Sequence, residues 1–271
     1  MIINLPNFNP NLFEFNNFVI RYYSLAYIFG ILFTNFFLGK ANKTYHIMTK
    51  KALESWLGYM VISIILGGRL GYVIFYNPKF FFSNPLEIFA LWHGGMSFHG
   101  GFIGAVFGMW LFAKRHHVRF WQLADVIAVS APFGLCLGRI ANFINLELYG
   151  RATRSNFGVI FPNVDNLPRH PSQLYEASLE GFILFSVLLY CFYRTSFAKK
   201  PGAISGVFLI GYSVSRIIAE FFREPDMQIG FFFNFITMGQ ILSIPLLITG
   251  IFLIFKTLFF HKLKHRHSKH R

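Results

Sequence analysis

Seven stretches of mostly apolar residues, each about 20 long, divide this chain, and that length lets a helix cross a bilayer. They fall at about 18–38, 56–76, 92–113, 122–146, 173–193, 202–222 and 236–260. The third and fourth carry more Gly and polar residues than the others. The pattern predicts an all-α, polytopic membrane protein with seven spans in a single integral-membrane domain. Residues 1–17 contain no Lys or Arg, whereas a secretory signal peptide opens with positive charge. The first stretch is therefore expected to be a retained span.

The polar connections give an orientation. Lys40, Lys43, Lys50 and Lys51 follow the first stretch, and Lys114, Arg115 and Arg119 follow the third. Arg194, Lys199 and Lys200 follow the fifth, and Lys256, Lys262, Lys264, Arg266, Lys269 and Arg271 end the chain. The alternate connections hold only Lys79, Arg151, Arg154, Arg169 and Arg223. Basic residues concentrate on the cytoplasmic side of membrane proteins. The N-terminus is thus expected outside and the C-terminus in the cytoplasm, with a small outer-face head segment at 147–172 and a basic cytoplasmic tail at 256–271.

Composition agrees. Hydrophobic residues make up 54% of the chain, charged ones 13%, and Phe alone contributes 37 residues. Soluble domains carry about 25% charged residues, so a soluble enzyme, a disordered chain and a disulfide scaffold are all disfavoured. The net charge of +14 could suggest a nucleic-acid partner, but most of it lies in the cytoplasmic connections and the tail. It reads as a topology signal, with the tail attracted to anionic lipid, and no nucleic-acid partner is expected. Cys136 and Cys191 fall in apolar stretches without a Cys-x-x-Cys or His context and read as packing residues.

The charges inside the spans carry the chemistry. A charge at mid-membrane costs roughly 2.5–3.5 kcal/mol, so each needs a partner or a function. With the expected orientation, Arg21, Tyr23, Arg69, Tyr72, Tyr76, His99, Arg139, Asn142, Glu176, Glu180, Tyr212, Arg216 and Glu220 all fall in the outer half of the bilayer. A polar cavity open to the outer leaflet would collect them there. Tyr212, Arg216 and Glu220 follow i, i+4, i+8 and share a helix face. Arg139 and Asn142 are three apart and share another. Gly94, Gly95, Gly100, Gly101, Gly104 and Gly108 surround His99, and small residues four apart let membrane helices approach closely.

Plainer readings stand beside these. Arg216 and Glu220 could simply neutralise each other, Arg69 could pair helices, and His99 could be a satisfied core histidine. Tyr23, Tyr72 and Tyr76 could be interfacial belt aromatics. Arginines near a leaflet surface suit an anionic headgroup, because guanidinium binds phosphate through paired hydrogen bonds. Histidine is the side-chain type suited to accepting a proton near neutrality, and His99 is the histidine among these residues. Together they point to chemistry on a phospholipid, with a carrier or channel for an anionic lipid or solute as the competing class.

Five segments resemble the motif blocks of prolipoprotein diacylglyceryl transferases, in order, from about residue 10 to 255. They are GGRLGYVIFYN (Gly67 to Asn77), HGGMSFHGG (His93 to Gly101), GRIANFINLELYG (Gly138 to Gly150), RHPSQLYEA (Arg169 to Ala177) and GYSVSRIIAEFFREPD (Gly211 to Asp226). The resemblance implies a seven-helix enzyme of the bacterial plasma membrane. Such an enzyme transfers the diacylglyceryl group of phosphatidylglycerol to the lipobox cysteine thiol carried on a prolipoprotein signal peptide, and glycerol phosphate leaves. By position in these motifs, Tyr23, His99, Arg139, Asn142, Gly150 and Arg216 match residues the family requires, and Glu147, Tyr212 and Glu220 match important ones. Ser24 and Ala141 replace glycines frequent in the family, and both are small. The segment between Glu147 and Arg169 is short, implying a reduced head.

The combined expectation assigns Arg139, Arg216, His99 and Tyr23 to catalysis. Arg139, Asn142, Glu147, Gly150, Tyr212, Arg216, Glu220 and Tyr72 are assigned to phosphatidylglycerol. Asn142 and Glu147 are expected to orient Arg139, and Glu220 to orient Arg216. His99 is either the acceptor of the thiol proton or a residue that shapes the pocket. No cofactor is expected, and no metal, since no His, Cys or Asp cluster has ligand spacing.

Overall fold

A computed structural model describes residues 2–6, 8–9, 11–15, 18–225 and 236–268. Asp226, which ends the fifth motif, and the last three tail residues lie outside the described residues. The chain divides into two compact units, Met1–Phe37 with Asp125–Arg271, and Leu38–Ala124.

The fold is mostly helical, and six helices are long and apolar enough to cross a membrane. They are α1 (Tyr22–Tyr45), α2 (Lys50–Phe75), α5 (Phe120–Ile144), the continuous Ser172–Arg194 helix, α8 (Ala203–Glu220) and α9 (Met238–Ser268). Two shorter α-helices, α3 (Pro78–Ser83) and α4 (Phe98–Arg115), are also present among the described residues. The Ser172–Arg194 helix consists of α6 (Ser172–Glu176), a π-helical segment (Ala177–Ile183) and α7 (Leu184–Arg194). Phe29, Phe36, Ile62, Phe182, Ile248 and Phe255 are exposed along these helices. Exposed apolar surface on this scale needs lipid to cover it.

The stretch expected to cross at about 92–113 is α-helical only from Phe98. Gly94 and Gly95 adopt φ of +77° and +81°, which an α-helix excludes. The carbonyls before α4 are taken up by Arg69, which is 4% exposed. Its Nε donates to Ile88 O (2.9 Å), Nη2 to Glu87 O (2.5 Å) and Ala90 O (3.1 Å), and Nη1 to Gly94 O and to Gly95 O (3.1 Å). The guanidinium also lies 5.2 Å from the Phe81 ring centroid. One buried cation thus organises a stretch of two short 3-10 turns, Pro85–Phe89 and Leu91–His93, and the glycines that follow, whose free carbonyls need such partners wherever water is scarce.

In the Leu38–Ala124 unit, α2 and α4 pack through glycines. A methyl group at Gly67 or Gly71 would collide with the backbone of Gly100 or Gly104. This is the small-residue contact that lets membrane helices approach closely. Ser97 caps α4 by accepting from Gly100 N at 3.2 Å. Trp56 and Phe112 meet edge to face with centroids 5.0 Å apart.

In the other unit, Gly30 of α1 faces Gly134 of α5, and Phe33, Phe133 and Phe185 cluster beside them. Thr237 and Gln240 cap the start of α9 reciprocally, each side chain accepting from the other's backbone N–H. The all-α expectation needs a small amendment. Strands β2 (Asn11–Phe15) and β3 (Phe18–Arg21) form an antiparallel pair, and β1 (Ile3–Asn4) pairs in parallel with β4 (Val159–Ile160). The β1–β4 pair sits on a small apolar core of Leu146, Val159 and Phe161, against which Leu5, Phe143, Tyr149 and Val164 pack.

Candidate active site

The site is built on three helical segments of one unit. Arg139 projects from the last third of α5, Glu176 and Glu180 from α6 and the π segment, and Arg216 and Glu220 from α8. Arg139 Nε lies 2.8 Å from Glu176 Oε2, and its Nη2 lies 3.1 Å from Glu180 Oε2. Arg216 Nη1 reaches Glu176 Oε1 at 3.1 Å and Glu180 Oε1 at 3.7 Å, while its Nη2 pairs with Glu220 Oε1. Arg223, just past α8, brings Nη1 to 3.6 Å from Glu176 Oε1. Three arginines and three glutamates therefore form one network, formally neutral when all six are ionised.

Burial makes the network significant. Glu176 and Glu180 are both 0% exposed, and isolated carboxylates there would be costly to ionise. Arginine keeps its charge in any environment, so shared guanidiniums provide the compensation. The arginines are less enclosed, with side-chain exposures of 16% for Arg139 and 13% for Arg216. Each guanidinium is thus held by buried carboxylates, while each side chain as a whole keeps a small share of its surface exposed. Several polar atoms of the network, including both Glu176 oxygens and Arg216 Nη1, make ion contacts without well-directed hydrogen bonds.

A π turn inside an α-helix often marks a functional site. Here it carries Glu180 and sets Gly181 against Cys136 of α5, where a methyl group would collide with the Cys136 side chain. Helix and guanidinium partner are consequently packed backbone to backbone.

The end of α5 departs from expectation. Asn142 and Glu147 do not orient Arg139, whose carboxylate partners are Glu176 and Glu180. Asn142 Nδ2 instead donates to Glu147 Oε1 at 2.9 Å, and Asn145 Nδ2 donates to the same oxygen at 3.3 Å. Gln173 Nε2 donates to Glu147 O at 2.7 Å, and Ser172 Oγ to Leu148 O at 3.1 Å. These short side chains are spent folding the turn in which Leu146 and Leu148 take positive φ. They fix where the chain leaves α5, and so hold α6 next to it.

Gly150 is buried where three segments converge. Its N–H donates to His170 O at 2.9 Å, and its carbonyl accepts from Arg169 Nη1 at 3.1 Å. A methyl group there would run into His170 O and Phe222 O. Arg151 closes the end of α8, donating from Nη2 to Glu220 O (3.1 Å) and from Nε to Arg223 O (2.9 Å). Arg169 binds Asp165 (2.6 Å) and Glu224 (3.1 Å) and stacks on Tyr149 at 4.9 Å. Hydrogen bonding to Arg169 holds the Asp165 carboxyl below its ordinary range, and partial burial lowers His170.

The remaining candidates are distributed between the units. Tyr212 lies one turn before Arg216 and stacks on Phe208 at 6.0 Å. Tyr23 opens α1 and meets Tyr27 edge to face at 5.1 Å. His99 and Tyr72 belong to the Leu38–Ala124 unit. His99 is exposed in the first turn of α4, and the Tyr72 ring occupies the space a side chain at Gly95 would need. Glu176, Glu180 and Arg223 were not among the assigned site residues, and they prove central to the ion network. The available signal was a pair of glutamates four apart in an apolar helix. Among the described residues, no group of three His, Cys, Asp or Glu is placed to hold a metal ion.

Fold and site define a polytopic membrane protein with a buried arginine–carboxylate centre. The family model for prolipoprotein diacylglyceryl transferase matches residues 10–256, and the chain belongs to that family. It is 54% identical over 253 residues to the phosphatidylglycerol–prolipoprotein diacylglyceryl transferase of Rickettsia bellii (strain OSU 85-389), covering 93% of this chain and 96% of that one. It is 53% identical over 251 residues to the protein of that name from Rickettsia typhi (strain ATCC VR-144 / Wilmington), covering 92% and 97%.

Proposed function

We propose that this protein transfers the diacylglyceryl group of phosphatidylglycerol to the lipobox cysteine of a prolipoprotein, the first step of bacterial lipoprotein maturation. Membership of the family along nearly the whole chain supports the reaction. The observation that carries the chemistry is the pair Arg139 and Arg216, drawn from different helices onto the same buried carboxylates, Glu176 and Glu180. That geometry supports a phosphate clamp, since a guanidinium held in place loses little entropy when it meets an anion.

In the reaction, the cysteine sulfur attacks the glyceryl carbon. The carbon–oxygen bond to phosphate breaks, and glycerol phosphate departs with the bonding electrons. Arg139 and Arg216 stabilise charge building on the leaving phosphate, an effect worth about 10²–10³-fold per donor at comparable sites. Because the three glutamates balance the three arginines, the cluster carries no net formal charge. The arginines act by directed hydrogen bonds more than by excess charge. Tyr23, Tyr72 and Tyr212 contribute headgroup contacts, and Asn142, Glu147 and Gly150 hold the local fold against which the headgroup rests. A free thiol is only a few per cent thiolate near neutrality, so a proton acceptor is needed, and we assign it to His99.

The same reading places the cluster in the outer half of the bacterial plasma membrane, with the N-terminus outside. The bias of Lys and Arg toward alternate connections supports that orientation. The seventh crossing is assigned to α4 with the Arg69-bound segment before it. The test is direct: purified protein is mixed with phosphatidylglycerol vesicles and a lipobox peptide, and the peptide mass is measured. A diacylglyceryl adduct on the cysteine, absent with a Ser-substituted peptide, is the expected result. No adduct under conditions where a Rickettsia relative works would refute the assignment.

A further inference from the structure

The proposed clamp requires two arginines on separate helices to meet one pair of carboxylates, and a second contact far from the site bears on that. Asp125 lies in the second turn of α5, in an otherwise apolar run, and is 3% exposed. Its Oδ2 accepts from Gly202 N at 2.8 Å. Its Oδ1 accepts from Ser205 N at 2.8 Å and from Ser205 Oγ at 2.7 Å. Gly202 is the N-cap of α8, with φ of +93° and no capping side chain of its own. The first N–H groups of a helix need outside acceptors, and here a carboxylate from another helix supplies them.

Asp125 and Arg139 are about 14 residues apart on α5, or ~21 Å along a helix rising 1.5 Å per residue. Gly202 and Arg216 are separated by about the same number along α8. The two helices therefore run parallel and are tied twice at matching heights, by Asp125 at one level and by Glu176 and Glu180 at the other. We infer that Asp125 is a register pin, a positioning residue that sets the axial offset of α8 against α5 so that Arg139 and Arg216 share the same carboxylates.

The sensitivity follows from the distances. A slip of α8 by one residue is about 1.5 Å, enough to carry Arg216 Nη1 out of its 3.1 Å contact with Glu176. Errors of about 1 Å in a reacting group can cost on the order of 100-fold in rate. Asp125→Ala also leaves the Gly202 and Ser205 N–H groups without their acceptor, whereas Asp125→Asn keeps one oxygen for Ser205.

The test uses the full chain in detergent or nanodiscs with two readouts. The first is a double-mutant cycle on thermal unfolding between Asp125→Ala and Glu176→Gln. Sites this far apart are normally additive, so a register link predicts clear non-additivity, and additive shifts overturn the pin. The second rests on the proposed transfer reaction. Here kcat/KM for Asp125→Ala is expected to fall on the order of 100-fold, with Asp125→Asn intermediate. The same Asp125→Ala change should cost far less in an Arg216→Lys background. Losses that multiply independently, or wild-type kcat/KM in Asp125→Ala, overturn the inference. If Asp125→Ala does not fold, Asp125→Asn and Ser205→Ala carry both cycles. A non-additive unfolding cycle together with wild-type protein that transfers nothing would reject the transfer reading and leave the register pin standing.

Discussion

Glu176→Gln is the sharpest perturbation of the ion network. Glu176 is the one carboxylate that meets all three arginines, at 2.8 Å from Arg139, 3.1 Å from Arg216 and 3.6 Å from Arg223. Glutamine has nearly the same shape, so the substitution removes charge without opening a cavity. The remaining glutamates, Glu180 and Glu220, then face three cations that cannot discharge. Removing one partner of a buried ion pair costs about 3–5 kcal/mol. For a protein of this size that corresponds to a fall of roughly 6–20 °C in unfolding midpoint. Glu180→Gln should cost less, because its contacts, with Arg139 at 3.1 Å and Arg216 at 3.7 Å, are fewer and longer than those of Glu176. The assay is thermal unfolding in detergent, followed by intrinsic Trp fluorescence, with transfer activity measured in parallel. Glu176→Gln protein that melts within a degree or two of wild type would refute the claim that this carboxylate holds the arginines together. A larger effect at Glu180 than at Glu176 would refute the ranking drawn from the distances.

Arg139→Lys keeps the positive charge but cannot meet Glu176 through Nε and Glu180 through Nη2 at once; transfer activity should fall on the order of 100-fold or more, and near-normal turnover would remove the clamp argument. Gly150→Ala forces a methyl group onto His170 O and Phe222 O, so a loss of about 1–3 kcal/mol of stability is expected from overpacking, checked by unfolding midpoint. Asp165 has its carboxyl held low by Arg169, so its contribution to stability is complete above the ordinary carboxylate range and is lost as pH falls through the lowered value. Asp165→Asn should therefore flatten the acid limb of the unfolding-midpoint profile, and an unchanged limb would contradict the pairing.

The helices were legible because a membrane span must satisfy its backbone internally and show apolar side chains to lipid, which leaves a long uninterrupted run. The stretch at 92–113 is only partly α-helical, for a physical reason. Arg69 takes the carbonyls around Gly94 and Gly95, and such a partner is invisible in local sequence. Strands of two residues, such as β1 and β4, leave no periodicity to detect. In the site, the Arg216–Glu220 pair could be read from its i, i+4 spacing. The bond from Arg139 to Glu180 spans 41 positions, so only the fold discloses it. Asn142, Glu147 and Gly150 stand out as a motif, yet their contacts are backbone turns and close approaches more than outward-facing donors. Asp125 had no local signal beyond being a charge in an apolar run.

The central claim is that the phosphate of phosphatidylglycerol is held by Arg139 and Arg216 while both remain anchored on Glu176 and Glu180. An experimental structure with phosphatidylglycerol bound measures this directly. The account predicts phosphate oxygens within about 3 Å of guanidinium nitrogens from both arginines, with the carboxylate contacts retained. A phosphate seated away from both arginines, or reached by only one of them, would contradict it.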